Sequence, residues 1–409
     1  MKRNVASLSS VVMGAYAMSA AVGCGLEGDA SDDSVTDEQA QVVSAKLVRA
    51  ERPIAGEYIV AFRDDELSLR SQSAAAVTKE LVASVGAKML HSYEAGFQGF
   101  AAQMSEADLK TLMSDPRVAY VEENGVVQLS TTQTGATWGI DRIDQRNRPL
   151  SGTYVYTNTG LGVHAYIIDT GIRRTHTQFT GRMSTGYDAV TAGGTGNDCN
   201  GHGTHVAGTV AGTTYGVAKR ATLHPVRVLD CAGSGSYAGV IAGINWVTAN
   251  RIRPAVANMS LGGGFSQAVN DAVTASIAAG VSYAVAAGNS YGANSCSYSP
   301  SSTPNAITVG SSTNTDAVSS FSNQGACVDI FAPGSSITSA WFSSDTAINT
   351  ISGTSMASPH VAGAAAKYLQ TAPTAAPATV TTYLVNQSTK NLLTGVIAPA
   401  PNRLLYTIQ

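Results

Sequence analysis

The chain has 409 residues, 44% of them apolar and only 13% charged, with a formal net charge of -3. That length is too great for one small domain and ample for a large core plus a second unit, while the charge balance argues against nucleic acid as a partner. Beyond the N-terminal segment no stretch has the length and hydrophobicity of a membrane span, and 41 glycines point to many tight turns.

In chain order, Lys2 and Arg3 precede a weakly apolar run, the layout of a signal peptide over residues 1–23. Its end, Ala21-Val-Gly-Cys24, resembles a bacterial lipobox, which implies lipidation of Cys24 and a membrane-anchored precursor. Residues 24–55 read as a linker, acidic and without apolar periodicity. A small α+β unit is predicted over 56–130. Residues 57–62 are strand-like, 77–85 carry apolar residues at helical spacing, and 93–104 alternate as strands do. Ser105-Glu-Ala-Asp108 then caps a helical run to Met113, and 118–121 form a last strand. This β-α-β-β-α-β order is that of a ferredoxin-like split unit. From 131 to 409 strands at 163–169, 222–229, 255–261 and 281–286 alternate with helical runs at 202–210, 237–250 and 268–279. The alternation predicts an α/β unit whose largely parallel sheet carries helices on both faces.

Three motifs in the larger unit carry chemistry. Val163-His-Ala-Tyr-Ile-Ile-Asp169-Thr-Gly171 is an apolar strand that delivers a carboxylate at its end. Gly201-His-Gly-Thr-His205 places His202 at the start of a small-residue helix. Gly353-Thr-Ser-Met-Ala-Ser-Pro-His360 places Ser355 where a Gly-rich turn enters a helix, beside free backbone N–H groups and the positive end of the helix dipole. A serine hydroxyl becomes a nucleophile when a base takes its proton and a third group orients the base. Alone, the serine motif is more readily read as a helix cap and the aspartate motif as a turn. Together, in the order Asp, His, Ser, they resemble the subtilisin-like serine proteases.

That resemblance implies Ser355 as nucleophile, His202 as general base and acid, and Asp169 as the holder of the imidazole tautomer, with His176, His205 and His360 structural. It further implies Asn289, in Val285-Ala-Ala-Gly-Asn289, as the oxyanion-hole side chain beside the Ser355 N–H. Asn258-Met-Ser-Leu-Gly-Gly-Gly264 resembles the substrate strand of the family, which assigns Ser260, Leu261, Gly262 and Gly263 to peptide binding. No charged residue lies in 260–264 or 286–289, so an uncharged pocket with broad apolar and aromatic preference is expected. The 56–130 unit resembles the inhibitory propeptide of such proteases. Trp138-Gly-Ile-Asp-Arg-Ile-Asp-Gln145 resembles the start of the mature aqualysin-type enzyme, so the junction is expected in 129–136, near Ser130-Thr131. Together these imply a secreted, monomeric endopeptidase that acts on proteins and processes its own precursor.

Setting Cys24 aside leaves Cys199, Cys231, Cys296 and Cys327, which allow three pairings. The local sequences around Cys199 and Cys231 resemble the proteinase K branch, which implies Cys199–Cys231 and Cys296–Cys327. The same resemblance implies calcium held by Asp329 with the carbonyls of Pro304 and Ala306, and no second calcium site at Asn386. Two rival functions are a peptide-binding pseudo-protease and a metallohydrolase using His202 and His205; the latter lacks a third ligand at zincin spacing.

Overall fold

The computed structural model describes residues 45–50, 53–127 and 130–407. Cys24 and the predicted signal peptide lie outside the described residues. The chain divides into two compact units between residues 127 and 128.

In the smaller unit, strands β1 (Lys46–Val48) and β2 (Pro53–Phe62) are followed by helices α1 (Asp64–Leu69) and α2 (Ala74–Val85). Strands β3 (Lys88–Tyr93) and β4 (Gly99–Gln103), helix α3 (Glu106–Met113) and strand β5 (Val118–Gly125) complete it. The sheet order β1-β5-β2-β4-β3 is the ferredoxin-like arrangement with β1 added in parallel at the β5 edge. Val60, Phe100, Val77 and Val121, all fully buried, knit sheet and helices into one core. The capping box expected at Ser105 is present: its hydroxyl accepts from the Asp108 N–H at 3.3 Å, while the Asp108 carboxylate accepts from the Ser105 N–H at 3.1 Å.

Two details depart from the sequence reading. The expected linker through residue 55 contains β1 and the start of β2, because a three-residue strand that pairs parallel with a partner some seventy residues away leaves no local pattern. Strand β3 begins at Lys88 rather than Tyr93. It is an edge strand without a fully buried face, so it lacks the alternation by which strands are recognised.

The larger unit begins with β6 (Thr131–Thr134), α4 (Trp138–Ile143) and β7 (Thr153–Tyr156), β6 and β7 pairing antiparallel on either side of α4 in the chain. Then come β8 (His164–Asp169), β9 (Tyr187–Asp188), α5 (His202–Ala211), β10 (Thr222–Arg227), α6 (Tyr237–Asn250) and β11 (Ala255–Met259). Next are β12 (Gly263–Gly264), α7 (Gln267–Ala278), β13 (Val281–Ala286), β14 (Tyr298–Ser299), β15 (Ile307–Ser312) and β16 (Ile330–Pro333). The hairpin β17 (Ile337–Ala340) and β18 (Ile348–Ile351) leads into α8 (Thr354–Thr371), α9 (Pro377–Gln387), β19 (Thr389–Lys390) and β20 (Arg403–Leu404).

The main sheet runs β19-β20-β16-β15-β13-β11-β8-β10-β9 and is parallel except for β19 against β20. Successive side chains of a strand face opposite sides. Thus Ala165 and Ile167 of β8 pack with α5, α8 and α9, while Tyr166 and Ile168 pack with α6 and α7. Helices therefore cover both faces, as the α/β reading expects. Disulfides join Cys199 to Cys231 and Cys296 to Cys327.

Candidate active site

Asp169 ends β8 and His202 opens α5, so both stand at the carboxyl edge of the sheet, where open α/β sheets place their ligands. Gly201 caps α5 with φ 113°, a left-handed value that suits glycine, and a Cβ there would lie 2.5 Å from Cζ2 of Trp341. Asp169 is fully buried. Its Oδ1 accepts from the Thr170 N–H at 2.7 Å and pairs with Nδ1 of His202 at 2.8 Å. Its Oδ2 is buried without a hydrogen bond. Burial works against a charged His202, but the charge and hydrogen bond of Asp169, together with the charge of Asp198, raise its pKa above the ordinary histidine value.

Ser355 lies in the first turn of α8, entered through Gly353. Its hydroxyl donates to the Ser260 carbonyl at 3.0 Å, and the Ser260 hydroxyl donates back to the Ser355 carbonyl at 2.7 Å. Asn258 ties this exchange to the sheet, since its Nδ2 donates to Oγ of Ser260 while its Oδ1 accepts from Ser358 of α8. Asn289 follows β13. Its Oδ1 accepts from the N–H and the hydroxyl of Thr354 at 2.9 and 2.8 Å, which turns its amide nitrogen outward. A Cβ placed on Gly353 would stand 3.5 Å from the Ser355 nitrogen and 3.6 Å from Nδ2 of Asn289, so the two donors flank one spot.

Two cavities meet here. One of about 890 Å³ is lined by His202, Ser355, Ser260 to Gly263, Leu229 and the loop through Tyr237. The other, about 260 Å³, is walled by Leu261 to Gly264, Ala286 to Ser290, Tyr298 and Thr354. No Asp, Glu, Lys or Arg lines either. The expected substrate segment is partly engaged already, because Gly263 and Gly264 pair with Ser299 and Tyr298. Thus one cavity collects His202, Ser355 and Ser260, while Asn289 reaches Ser355 from the second. The orienting roles of Thr354, Asn258 and Ser358 escaped sequence reading because the bonds Thr354–Asn289 and Asn258–Ser358 join residues at least 65 positions apart.

The remaining histidines are held elsewhere. His205 is buried, hydrogen-bonds the Ile337 carbonyl through Nε2 at 2.9 Å, and is pushed by burial down to about 4. His360 donates from Nδ1 to the Met356 carbonyl and is likewise pushed down to about 4. His176 bonds the Ala347 carbonyl. Among the described residues no group of three His, Cys, Asp or Glu side chains is placed to hold a metal ion. Asp329 takes the Thr308 N–H on Oδ2 at 2.8 Å, and burial pushes its carboxyl up to about 6. The Thr308 N–H and the charge of Arg403 offset that burial only in part, so the carboxylate would be better compensated by a cation with carbonyl co-ligands. No described helix is long and apolar enough to cross a membrane.

Comparisons with known proteins place the chain beside extracellular and subtilisin-like serine proteinases. The profile of the subtilase family matches residues 160–400, and that of peptidase inhibitor I9 matches 57–130. An extracellular serine proteinase of Thermus sp. strain Rt41A is 58% identical over 322 residues, covering 79% of this chain and 78% of the relative. Alkaline serine exoprotease A of Vibrio alginolyticus is 51% identical over 77% of this chain and 60% of its own length. The crystal structure of a cold adapted subtilisin-like serine proteinase superposes with a TM-score of 0.65 at 51% identity, covering 68% of this chain and all of that one.

Proposed function

The chain belongs to the subtilase family of serine proteinases, and on that premise we propose that Asp169, His202 and Ser355 are its catalytic triad. The observation that carries the reading is the 2.8 Å pair of buried Asp169 with His202, opening on the same cavity as the serine of the α8 first turn. The Ser355 hydroxyl leaves the Ser260 carbonyl and attacks the scissile carbonyl carbon, giving its proton to Nε2 of His202. Negative charge on the former carbonyl oxygen falls to the Ser355 N–H and Nδ2 of Asn289. Asp169, already bonded to Nδ1, stabilises the imidazolium. His202 then protonates the leaving amine, and a water repeats the sequence to release the acyl group.

Substrates are proteins. The extended chain is held along Ser260, Leu261, Gly262 and Gly263, and the side chain before the cut enters the 260 Å³ cavity, whose uncharged walls favour apolar and aromatic groups. A peptide panel cleaved mainly after Lys or Arg contradicts this preference.

The I9 unit implies intramolecular inhibition of the precursor. We place the self-processing cut near Ser130-Thr131, since β6 from Thr131 already belongs to the larger unit through β7. Secretion, suggested by the extracellular Thermus relative, and a transient anchor at Cys24 belong to the same proposal. Asp329, with the carbonyls of Pro304 and Ala306, would hold calcium, whose role there is to neutralise a buried carboxylate and brace the loop after Cys327.

The test expresses the precursor as wild type and as Ser355→Ala, following mass and casein hydrolysis. Wild type alone should lose its leader and digest casein. A wild type that stays full-length, folded and inert favours the peptide-binding alternative.

A further inference from the structure

Asp198 is 95% or more buried, and its carboxylate is saturated by donors from two directions. Oδ1 accepts from the hydroxyl of Thr170 at 2.9 Å and from the N–H groups of Asn200 and Gly201 at 2.9 and 3.0 Å. Oδ2 accepts from the N–H and hydroxyl of Thr204 at 3.0 and 2.5 Å. Thr170 is the residue after Asp169, and its own hydroxyl accepts from the Gly203 N–H at 2.9 Å. The first turn of α5, which carries His202, is therefore joined to the turn that carries Asp169 through the Asp198 carboxylate and the Thr170 hydroxyl it accepts from. Its neighbours extend the joint. Cys199 is bridged to Cys231, and Asn200 accepts from the His202 N–H on Oδ1 while donating from Nδ2 to the Cys231 carbonyl.

From this arrangement we propose that Asp198 is a positioning residue for the reaction: it fixes the His202 imidazole against Asp169 and adds a second buried negative charge behind the imidazolium. The proposal rests on the triad reading. Two effects follow from one group. A loosened α5 terminus displaces the base relative to the nucleophile, and displacements of about 1 Å cost on the order of a hundredfold in rate. A missing carboxylate leaves the imidazolium less stabilised, so His202 titrates lower. The other charged groups nearby have their own partners. Arg173, whose N–H bonds Thr204, turns its guanidinium to Asp345 and the Phe342 carbonyl. Arg227 of β10 faces Asp188 and the Cys199 sulfur, and His205 on α5 bonds the Ile337 carbonyl.

The experiment compares mature wild type with Asp198→Asn, Thr170→Val and Thr170→Ser. Active sites are counted by a serine-directed sulfonyl fluoride, and kcat, KM and the acid limb of kcat/KM are read per counted site on a peptide anilide with an apolar residue before the cut. Asp198→Asn is expected to lower kcat about tenfold to a hundredfold with KM within about twofold, and to move the acid limb to lower pH by on the order of half a unit. Thr170→Val should lower kcat with the limb in place, and Thr170→Ser, which keeps the hydroxyl, should restore it. The proposal is overturned if Asp198→Asn and Thr170→Val melt earlier yet turn over at the wild-type rate with an unmoved limb, which is what a purely structural carboxylate would give. Where Asp198→Asn yields no folded enzyme, the Thr170→Val and Thr170→Ser pair tests the joint between Asp198 and the Asp169 turn, and a wild-type kcat in Thr170→Val overturns the proposal. A wild type unlabelled at Ser355 overturns the triad reading instead, which separates the two failures.

Discussion

Lys367 lies about three turns below Ser355 on α8, fully buried, and offers a quantitative test of how this core carries charge. Its ammonium donates to the Tyr154 hydroxyl at 3.1 Å and sits 5.1 Å from the centre of that ring. Burial pushes its pKa down to about 7, with the Asp144 carboxylate pulling the other way and Lys219 adding to the depression. In the unfolded chain the group titrates near its ordinary 10.5. Between these values the unfolded state binds a proton that the folded state has released, so stability rises with pH across that window; below it the full cost is present. At about 1.4 kcal/mol per unit, the interval corresponds to about 5 kcal/mol. Lys367→Met keeps the stem's packing and removes the charge, while losing a hydrogen bond of about 1 kcal/mol to Tyr154. A net gain of about 2–4 kcal/mol near pH 7, or about 5–10 °C in Tm for a unit of this size, is therefore expected, shrinking to nearly nothing by pH 10. Calorimetry of mature enzyme blocked at Ser355, at fixed calcium and scan rate from pH 6 to 10, reads it directly. A variant less stable than wild type at pH 7, or a difference that does not change with pH, refutes the reasoning.

The other expectations concern the site. On the proposed oxyanion role of its Nδ2, Asn289→Ala should lower kcat by about 10²–10³ with little change in KM; a KM effect alone in steady-state kinetics contradicts the assignment. Because His202 must be neutral to accept a proton and its pKa is raised, kcat/KM should fall as pH drops through an inflection above the ordinary 6.5. An inflection below that value in the pH–rate profile contradicts the pairing with Asp169. Chelation by EDTA should lower the Tm of wild type and leave that of Asp329→Ala unmoved; a wild-type Tm indifferent to calcium removes the proposed ion.

What the sequence alone determined is what the backbone states locally. A carboxylate at the end of an apolar strand, a histidine behind a glycine cap and a serine at a Gly-to-helix turn are short signals, each written within about ten residues. The 3.6- and 2-residue periodicities likewise marked β8, α5, α6, α7 and β13 within a residue or two. The Ser105 capping box was equally visible, because its two partners, Ser105 and Asp108, lie only three residues apart. Only the tertiary structure decided what depends on distant partners. β1 exists through pairing with β5, and Gly263 and Gly264 form a strand through Tyr298 and Ser299. Asn289 is aimed by Thr354, and His202 is joined to Asp169 through Asp198 and Thr170. A hydrogen bond's geometry is fixed by both ends. When the second end lies tens or hundreds of residues away, one stretch of sequence holds only half of the interaction, and the fold supplies the other half.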